Sequence, residues 1–367
     1  MAEASAKKKG MRTGFTTGAC AAAAAKAAAG ALLSGQAARE VEIGLPIGQR
    51  VTFTVERFER RGNSALCSVI KDAGDDPDCT HGAEIAAEVW LTDGGAVEIE
   101  GGDGVARVTK AGLGIEIGKA SITKIPLKMI AESVREALGQ HGRPGGARVV
   151  ITVPRGLEMA KKTLNERLGL LGGISILGKT GIVRPYSTAA FKVSIAQGID
   201  VARAAGLAAV VLTTGGESEK FAMRILSDLP ETTFVQMGDF VGWTLRYCQK
   251  TKMPTAIIAG MIGKLSKIAD GMMHTHARRG SVNLSMLADL AAQCGASSEI
   301  QEKIRSANTA REAQEIAVAA GLAGFFDRIC QLICQHCSVH TREEVAVEAI
   351  LTDFEGNVLG RAAASSS

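Results

Sequence analysis

An alternation of short apolar runs with amphipathic segments, in the middle of the chain, constrains the fold most strongly. The apolar runs are ARVVITV from residue 147, LAAVVLTTGG from 207, TTFVQMGD from 232 and TAIIAGMIG from 255. Apolar strands that alternate with helices are typical of a parallel sheet with helical crossovers. The sequence therefore predicts a Rossmann-like α/β layer over residues 146–280. In such sheets, ligands bind in the loops after the carboxyl ends of the strands.

The rest of the chain follows a different pattern. A length of 367 residues exceeds what one core typically holds, so we expect two domains. Short strands mixed with a few helices predict an α+β domain over residues 11–145, which the hairpin pattern at 340–361 is expected to join. Residues 281–339 are predicted to be helical, and residues 1–10 to form a disordered tail. The predicted fold class is thus α/β and α+β, in two domains.

The segment RTGFTTGACAAAAAKAAAGALLSGQAA, which follows three lysines, allows two interpretations. A secretory signal needs a core of ~7–15 apolar residues, whereas this run is mostly alanine and Lys26 interrupts it. Alanine is the strongest intrinsic helix former, and Thr16 or Thr17 could cap a helix here. We therefore expect a helix of the mature protein, retained in the cytoplasm, with helical N–H groups pointing at the loop before it.

Composition disfavours two classes of partner. No run approaches the ~18 consecutive strongly apolar residues of a membrane span, so no membrane partner is expected. The net charge is only +4, and Lys and Arg are scattered among acidic residues, which disfavours a nucleic-acid partner. Small anionic ligands remain compatible with this charge.

The densest polar stretch is KDAGDDPDCTHG, which contains Asp72, Asp75, Asp76 and Asp78. Carboxylates this close repel one another unless a cation, a hydroxylated ligand or backbone N–H groups compensate them. The spacing of a calcium loop is absent. A ligand-binding loop and an acidic turn that bonds to itself both remain open.

Three other stretches carry candidate ligand-binding features. LTTGGESEKF is a strand, a glycine turn and a helix N-terminus in succession, which suits a carboxylate or phosphate. GGISILGKTGIVRP could bring main-chain donors to a ligand, but it matches neither G-x-G-x-x-G nor the P-loop, and taken alone it is better explained as ordinary turns. GMIGKLSKIADGMMHTHARR is the most basic region, and it fits a docking surface for a polyanion better than a metal site, because further ligands are missing nearby.

CQLICQHC places Cys330, Cys334 and Cys337 at the C-x3-C-x2-C spacing of the iron–sulfur site in radical S-adenosylmethionine enzymes. The flanking sequence predicts a helix, on which these offsets put the three thiols on one face. A cluster needs a loop that wraps around the metal. Three core cysteines on a buried helix face are therefore the favoured interpretation.

Nine motifs together resemble one known family. RTGFTTGACAAAAAKAA, KDAGDDPDCTHG, GDGVARVTKAGLG, AKKTLNERLGLLGGISILGKTGIVRP, TTGGESE, GDFVGWTL, GMIGKLSKIADGMMHTH, ANTA and LTDFEGNVLG occur in the order they take in the cobalt-precorrin-5B (C1)-methyltransferases, the CbiD-type enzymes of anaerobic cobalamin biosynthesis. The resemblance extends over residues 11–361. The chain departs from the family pattern at Met261, where a His is frequent, and at His274, where an Asn is frequent.

The resemblance implies a methyltransferase that uses S-adenosylmethionine to methylate C1 of cobalt-precorrin-5B, giving cobalt-precorrin-6A. The cobalt would arrive inside the tetrapyrrole substrate, so no protein metal site is expected, and orientation could replace a general base. A homodimer is a further expectation, since tetrapyrrole methylation enzymes are often dimers. The alternatives are a radical S-adenosylmethionine enzyme that uses Cys330, Cys334 and Cys337, and a non-catalytic tetrapyrrole-binding protein.

With the resemblance, the candidate site residues divide into two groups, and no catalytic residue is assigned. The cofactor-binding candidates are Asp72, Asp75, Asp76, Asp78, Thr213, Thr214, Gly215, Gly216, Glu217, Gly238 and Asp239. The substrate-binding candidates are Thr16, Thr17, Gly18, Lys110, Gly178, Thr180, Gly181, Lys264 and His276.

Overall fold

The computed structural model describes residues 10–364, and the chain divides after residue 187 into two compact units. The predicted tail at residues 1–10 lies, except for Gly10, outside the described residues. Each unit has its own main sheet and its own hydrophobic core.

The first unit is a mixture of strands and helices, and it extends past the predicted boundary at residue 145 to residue 187. Its elements are β1 (Gly14–Phe15), α1 (Thr17–Ser34), β2 (Glu40–Gly44), β3 (Arg50–Thr54), β4 (Arg57–Arg61), β5 (Ser64–Ile70), β6 (Glu84–Thr92), β7 (Val97–Gly101), β8 (Gly104–Val105), β9 (Arg107–Val108), α2 (Lys124–Gln140), β10 (Gly146–Thr152), α3 (Gly156–Ala160), β11 (Leu170–Leu171), β12 (Gly173–Ile174) and β13 (Ile182–Val183). The main sheet has the strand order β4-β5-β6-β10-β7, and short pairs β1-β13, β2-β3, β8-β12 and β9-β11 surround it.

Helix α1 is the centre of the first unit. Ala19 to Ala25 have no exposed surface, because the helix packs against β5, β6 and α2 and small side chains let all three approach closely. Thr16 caps the helix by accepting a hydrogen bond from the Ala19 amide, as predicted. Among residues 10–364, α1 is the single helix whose length and composition would allow a membrane crossing, but 78% of it is buried in the fold. It is a core helix of this unit.

The charge within α1 is neutralised locally. The Nζ of Lys26, whose side chain is almost fully buried, donates to the Glu42 carbonyl oxygen at 2.7 Å and lies 2.9 Å from the Glu136 carboxylate. A buried ammonium is tolerated only when it is paired and hydrogen-bonded in this way.

The second unit has an α/β architecture. Its elements are α4 (Thr188–Ala204), β14 (Ala209–Thr213), α5 (Gly216–Ile225), a 3-10 turn (Glu231–Thr233), β15 (Phe234–Gln236), α6 (Val241–Lys250), β16 (Thr255–Met261), α7 (Ile262–Ala269), a 3-10 turn (Ala277–Arg279), α8 (Leu284–Gln293), α9 (Ser298–Arg305), α10 (Ala310–Ala319), α11 (Phe325–His340), β17 (Ala346–Thr352) and β18 (Val358–Ala363). The sheet order is β15-β14-β16-β17-β18, in which β18 is antiparallel and the other neighbours are parallel. The predicted parallel layer is confirmed here.

One hairpin and one strand pair differently from the sequence-based expectation. The terminal hairpin β17-β18 joins the second sheet, where Thr255 to Met261 pair with Ala346 to Thr352, and not the first domain's sheet. Conversely β10, expected to open the Rossmann-like layer, lies in the first sheet between β6 and β7. The apolar pattern shows that a strand is buried but carries no information about which sheet buries it.

Candidate active site

In the second unit, the parallel strands bring the predicted ligand loops to one edge. Strands β14, β15 and β16 end at Thr213, Gln236 and Met261, and the carboxyl ends of parallel strands lie at the same edge of a sheet. The loops TTGG and MGDF and the start of α7 therefore lie together at this edge of the sheet, and we call this region the strand-end crevice.

Lys264 ties two of these loops together. Its Nζ lies 2.9 Å from Oδ1 of Asp239 and donates to the carbonyl oxygen of Thr214 at 2.8 Å. Thr275 donates its hydroxyl to the same Asp239 oxygen at 3.1 Å. The side chains of Lys264 and Asp239 remain 37% and 23% exposed, so a ligand can reach both.

Asp239 is held as a carboxylate. Burial would raise its pKa, but the hydrogen bond and the charge of Lys264, with help from Thr275, lower the pKa below its usual value. An ion pair of this kind can attract a cationic group at Asp239 and an anionic group at Lys264.

The N-terminus of α5 is open to the crevice. Gly215 caps the helix with extended backbone, and a Cβ placed there would contact nothing within 4 Å. The Thr214 and Ser218 hydroxyls bond each other at 3.1 Å beneath it. Gly215 is half-buried and Gly216 is exposed, so a carboxylate can approach this helix end, and its binding there stays a prediction.

Other predicted residues of this region have different surroundings. Thr213 is fully buried, and its hydroxyl has no hydrogen-bond partner among residues 10–364. Glu217 points away into an exposed ion pair with Lys220 at 2.7 Å. His276 is exposed, and its Nδ1 accepts from the Arg278 amide at 3.1 Å within the same turn. Gly238 adopts a left-handed φ of 59°.

In the first unit, the N-terminus of α1 closes onto its own chain. The amide of Thr16 donates to Gly181 at 3.0 Å, and the amide of Gly18 donates to Leu177 at 3.0 Å. The hydroxyl of Thr17 accepts from the Leu177 amide at 2.9 Å. The expectation that these amides face a substrate carboxylate is not met at Thr16 and Gly18, because backbone carbonyls already occupy both donors.

Gly178 and Gly181 make this closure possible. A Cβ at Gly178 would lie 2.4 Å from the Thr16 hydroxyl, and the backbone there has a φ of 136° that favours glycine. The Thr180 hydroxyl accepts from the Ile182 amide at 3.2 Å within a local turn. Nearby in the same unit, the Nζ of Lys110 donates to the Arg167 carbonyl oxygen at 3.0 Å.

The acidic loop is bonded to its own surroundings. Asp72 pairs with the Arg12 guanidinium and accepts from the Gly74 amide at 2.9 Å. Asp75 accepts from the Arg12 amide at 2.6 Å, and Asp76 accepts from the Tyr186 amide at 2.9 Å. The structure shows the self-bonding acidic turn, and cofactor binding by these carboxylates stays a prediction.

Sequence reasoning missed Lys71, the charged residue that Asp78 compensates. Lys71 is 1% exposed, and its Nζ lies 2.6 Å from Asp78 Oδ2, while the Asp78 Oδ1 accepts from the Thr80 hydroxyl. The pair lines a cavity of about 190 Å³ together with Thr16, Thr17 and Asn165. The signal available in the sequence was a lysine directly after the apolar run SALCSVI, at the point where the buried strand ends.

The three clustered cysteines lie on the buried face of α11, as predicted. Burial raises the pKa of Cys330 to about 12 and that of Cys334 to about 11, and it raises the pKa of Cys337 further. All three are therefore neutral thiols near pH 7, packed in the core of the second unit. Within residues 10–364, no group of three His, Cys, Asp or Glu residues is placed to hold a metal ion.

Known proteins match the chain along its length. The family models CbiD and CbiD C-terminal domain match residues 4–185 and 274–363. Relatives named cobalt-precorrin-5B C(1)-methyltransferase include one from Leptospira interrogans serogroup Icterohaemorrhagiae serovar copenhageni, 52% identical over 96% of this chain and 96% of its own. Another from Priestia megaterium is 47% identical over 99% of each chain. A crystal structure of the cobalamin biosynthesis protein cbiD from Archaeoglobus fulgidus is 27% identical over 85% of each chain, with a TM-score of 0.39.

Proposed function

The chain belongs to the CbiD family, and from this premise we propose that it transfers a methyl group from S-adenosylmethionine to C1 of cobalt-precorrin-5B, giving cobalt-precorrin-6A in cobalamin biosynthesis. The observation that carries the proposal is 52% identity over 96% of both chains to a relative with that name. From the same premise, the tetrapyrrole is the substrate, and the cobalt enters as part of that substrate.

The strand-end crevice suits such ligands. S-adenosylmethionine is a cation at sulfur with a carboxylate at its amino-acid end, and when bound it supplies an electrophilic methyl group. The Asp239 carboxylate fits the sulfonium charge, and the open amides of Gly215 and Gly216 fit a carboxylate. The residues present are therefore compatible with this methyl donor.

Lys264 supports the proposal from the substrate side. The tetrapyrrole carries several carboxylate arms, and the partly exposed ammonium of Lys264 offers charge-assisted hydrogen bonds to one of them. Because Lys264 is in contact with Asp239, residues suited to the two ligands are adjacent. Methyl transfer needs the reacting atoms about 3–3.5 Å apart and aligned, and holding both ligands at one crevice supplies that geometry.

No general base is assigned in this proposal. A conjugated ring carbon is already nucleophilic, so the chain needs to orient two ligands and exclude water. The buried hydroxyls of Thr214 and Ser218 and the ion pair Lys264–Asp239 are held by their own contacts, which keeps the crevice preorganised.

The decisive experiment is an anaerobic assay with cobalt-precorrin-5B and S-adenosylmethionine labelled in its methyl group. We expect one label per turnover, placed on C1 by NMR of the product. A label on another ring carbon would contradict the assignment, and tight binding of the tetrapyrrole without any transfer would favour a non-catalytic binding protein. Iron analysis of active, anaerobically purified protein tests the radical alternative, since one cluster per chain would support it.

Two further expectations extend the proposal. We place the enzyme in the cytoplasm, because its apolar N-terminal helix is used as a core helix of the first unit. A homodimer stays a prediction that follows from the family resemblance. Light scattering on the purified chain, whose mass is 38.1 kDa, distinguishes one copy from two.

A further inference from the structure

Aromatic side chains are grouped beside the strand-end crevice. The rings of Phe191 from α4, Phe240 just before α6 and His274 from the loop after α7 form a continuous set, and Trp243 on the first turn of α6 lies on the other side of the Lys192 ammonium. We call this group the aromatic ledge. Phe240 and Trp243 pack against the core of the second unit, whereas Phe191 is exposed. The exposed ring is the part of the ledge that core packing does not explain.

The rings of the ledge touch in series. The centroids of Phe191 and Phe240 lie 5.7 Å apart, and those of Phe240 and His274 lie 5.1 Å apart at an interplanar angle of 83°. Burial and the nearby Arg279 lower the pKa of His274, so its imidazole is a neutral ring near pH 7. The group thus presents uncharged ring surface.

Phe191 is held at the surface and not in the core. It is 38% exposed, and a Cβ on Gly238 would lie 3.1 Å from its ring. Gly238 has a φ of 59°, which favours glycine, and the missing side chain leaves room for the Phe191 ring. The turn after β15 is therefore shaped to seat an exposed aromatic ring.

A lysine ammonium lies against the ledge. The Nζ of Lys192 lies 5.1 Å from the Phe240 ring centroid and 5.7 Å from that of Trp243. Of the two neighbouring carboxylates, Asp239 is paired with the Lys264 ammonium, and Asp200 accepts a hydrogen bond from the neutral hydroxyl of Tyr247 at 2.9 Å. A ligand that combines a flat conjugated ring with carboxylate arms complements this surface.

The ledge and the crevice are parts of one surface. Asp239 precedes Phe240 in the chain, and Thr275, which donates to Asp239 at 3.1 Å, follows His274. A ring on the ledge is therefore directly beside the Lys264–Asp239 pair. Trp243 lies in the motif GDFVGWTL, but nothing in the sequence patterns pointed to Phe191 or Lys192.

We propose that the aromatic ledge is the docking surface for the corrinoid macrocycle, with Lys192 binding one of its carboxylate arms. This inference rests on the proposed function, because that function makes a corrinoid the substrate. It assigns ring binding to the ledge and leaves methyl-donor binding to the crevice. The two can therefore be tested separately.

The test is the affinity of the intact protein for a cobalt corrinoid with free carboxylate arms, cobyrinic acid, measured by equilibrium dialysis and corrinoid absorbance. Phe191→Leu keeps apolar bulk but removes the ring, and we expect roughly a twofold to tenfold weaker affinity, since an aromatic pair contributes about 0.5–1.5 kcal/mol beyond its buried area. Lys192→Gln should weaken binding and make it less sensitive to salt. Affinity for S-adenosylmethionine should stay within twofold in both variants, on the order of measurement error.

A matched control exists in the first unit. There Arg148 lies over the ring of Trp90 at 5.0 Å, a cation–aromatic pair like that of Lys192 and Trp243. Arg148→Gln should leave corrinoid affinity unchanged, and thermal unfolding of each variant shows whether it is folded. Phe191 and Lys192 lie on an exposed turn of α4, so the test does not depend on the half-buried Trp243.

The outcomes separate the inference from the proposed function. If the wild-type enzyme methylates cobalt-precorrin-5B while folded Phe191→Leu and Lys192→Gln bind the corrinoid as well as wild type, the ledge inference is wrong and the function stands. If both variants lose affinity but wild type transfers no methyl group, the ledge stands and the proposed function is wrong. If Arg148→Gln loses as much corrinoid affinity as Lys192→Gln, the loss comes from the change in net charge, and the ledge inference is wrong.

Discussion

The Nζ of Lys264 lies 2.9 Å from the carboxylate of Asp239 and donates at 2.8 Å to the carbonyl oxygen of Thr214. One side chain from the first turn of α7 thereby joins the loops that follow β14 and β15. A residue in this position both shapes the crevice and presents a positive charge to it. Its removal should therefore affect catalysis more than stability.

We expect Lys264→Gln to lower kcat/KM by about tenfold to a hundredfold, because a hydrogen bond to a charged group contributes ~1.5–3 kcal/mol. The measurement is transfer of labelled methyl at several substrate concentrations. Lys220→Gln is the control, since Lys220 forms an exposed pair with Glu217 on α5. Equal kcat/KM for Lys264→Gln and wild type would remove Lys264 from the site.

The buried ion pair of Lys71 and Asp78 should contribute to the free energy of unfolding. Asp78→Asn leaves the ammonium of Lys71, 1% exposed, without its counter-charge. Breaking a buried pair by removing one partner costs about 3–5 kcal/mol, so we expect a loss of this size in the free energy of unfolding in urea. Lys71→Met should cost less, because it removes the buried charge and keeps most of the volume. A smaller loss for Asp78→Asn than for Lys71→Met would contradict this account.

Asp72 predicts a dependence on pH. The hydrogen bond from Arg12 lowers the pKa of Asp72 most, and the hydrogen bond from the Gly74 amide adds to it, so that the pKa falls from 3.8 to about 2. Since the folded pKa is depressed, the contribution to stability is complete above pH 3.8 and is lost as the pH falls through about 2. Arg12→Gln should move the Asp72 pKa back toward 3.8 in an NMR carboxyl titration. A pKa that stays near 2 in this variant would show that the Gly74 amide alone is sufficient.

The raised pKa of Tyr247 can be tested by ultraviolet absorbance. Burial first, and then the hydrogen bond to Asp200, raise the pKa of Tyr247 to about 12. The chain has only two tyrosines, so in a Tyr186→Phe background the ultraviolet titration reports Tyr247 alone. Asp200→Asn should lower that pKa. Because the folded pKa is raised, stability from this contact is present below the unfolded value of 10 and is lost as the pH rises through 12. If the ultraviolet titration is the same in Asp200→Asn as in its parent, burial alone raises the pKa of Tyr247.

Local patterns were sufficient for several elements. The alanine run predicted α1 and its Thr16 cap, because helix propensity and capping depend on residues close in sequence. The offsets of Cys330, Cys334 and Cys337 predicted one buried helix face for the same reason. The apolar runs and the glycine turns after them predicted parallel strands and the loops at their carboxyl ends.

The grouping of distant residues lay outside what these patterns contain. Strand β17 has the composition of a buried strand whichever sheet it joins, and its pairing with β16 depends on packing against α11 and the rest of the second core. Likewise the carbonyl oxygens that cap the Thr16 and Gly18 amides come from residues more than 150 positions away. Contacts at such separation leave no periodic trace in the sequence.

The amino-acid sequence alone determined the family, the parallel α/β layer and the identity of the residues at the strand ends, since each depends on local order along the chain. Three-dimensional packing settled which polar groups stay exposed to a ligand. It satisfies the amides before α1 with backbone carbonyls and the carboxylates of Asp72 and Asp75 with Arg12. Lys264 and Asp239 are paired with each other but remain partly exposed, and the Phe191 ring is exposed as well. Most buried polar groups are already hydrogen-bonded within a fold, so exposure decides which groups a ligand can contact.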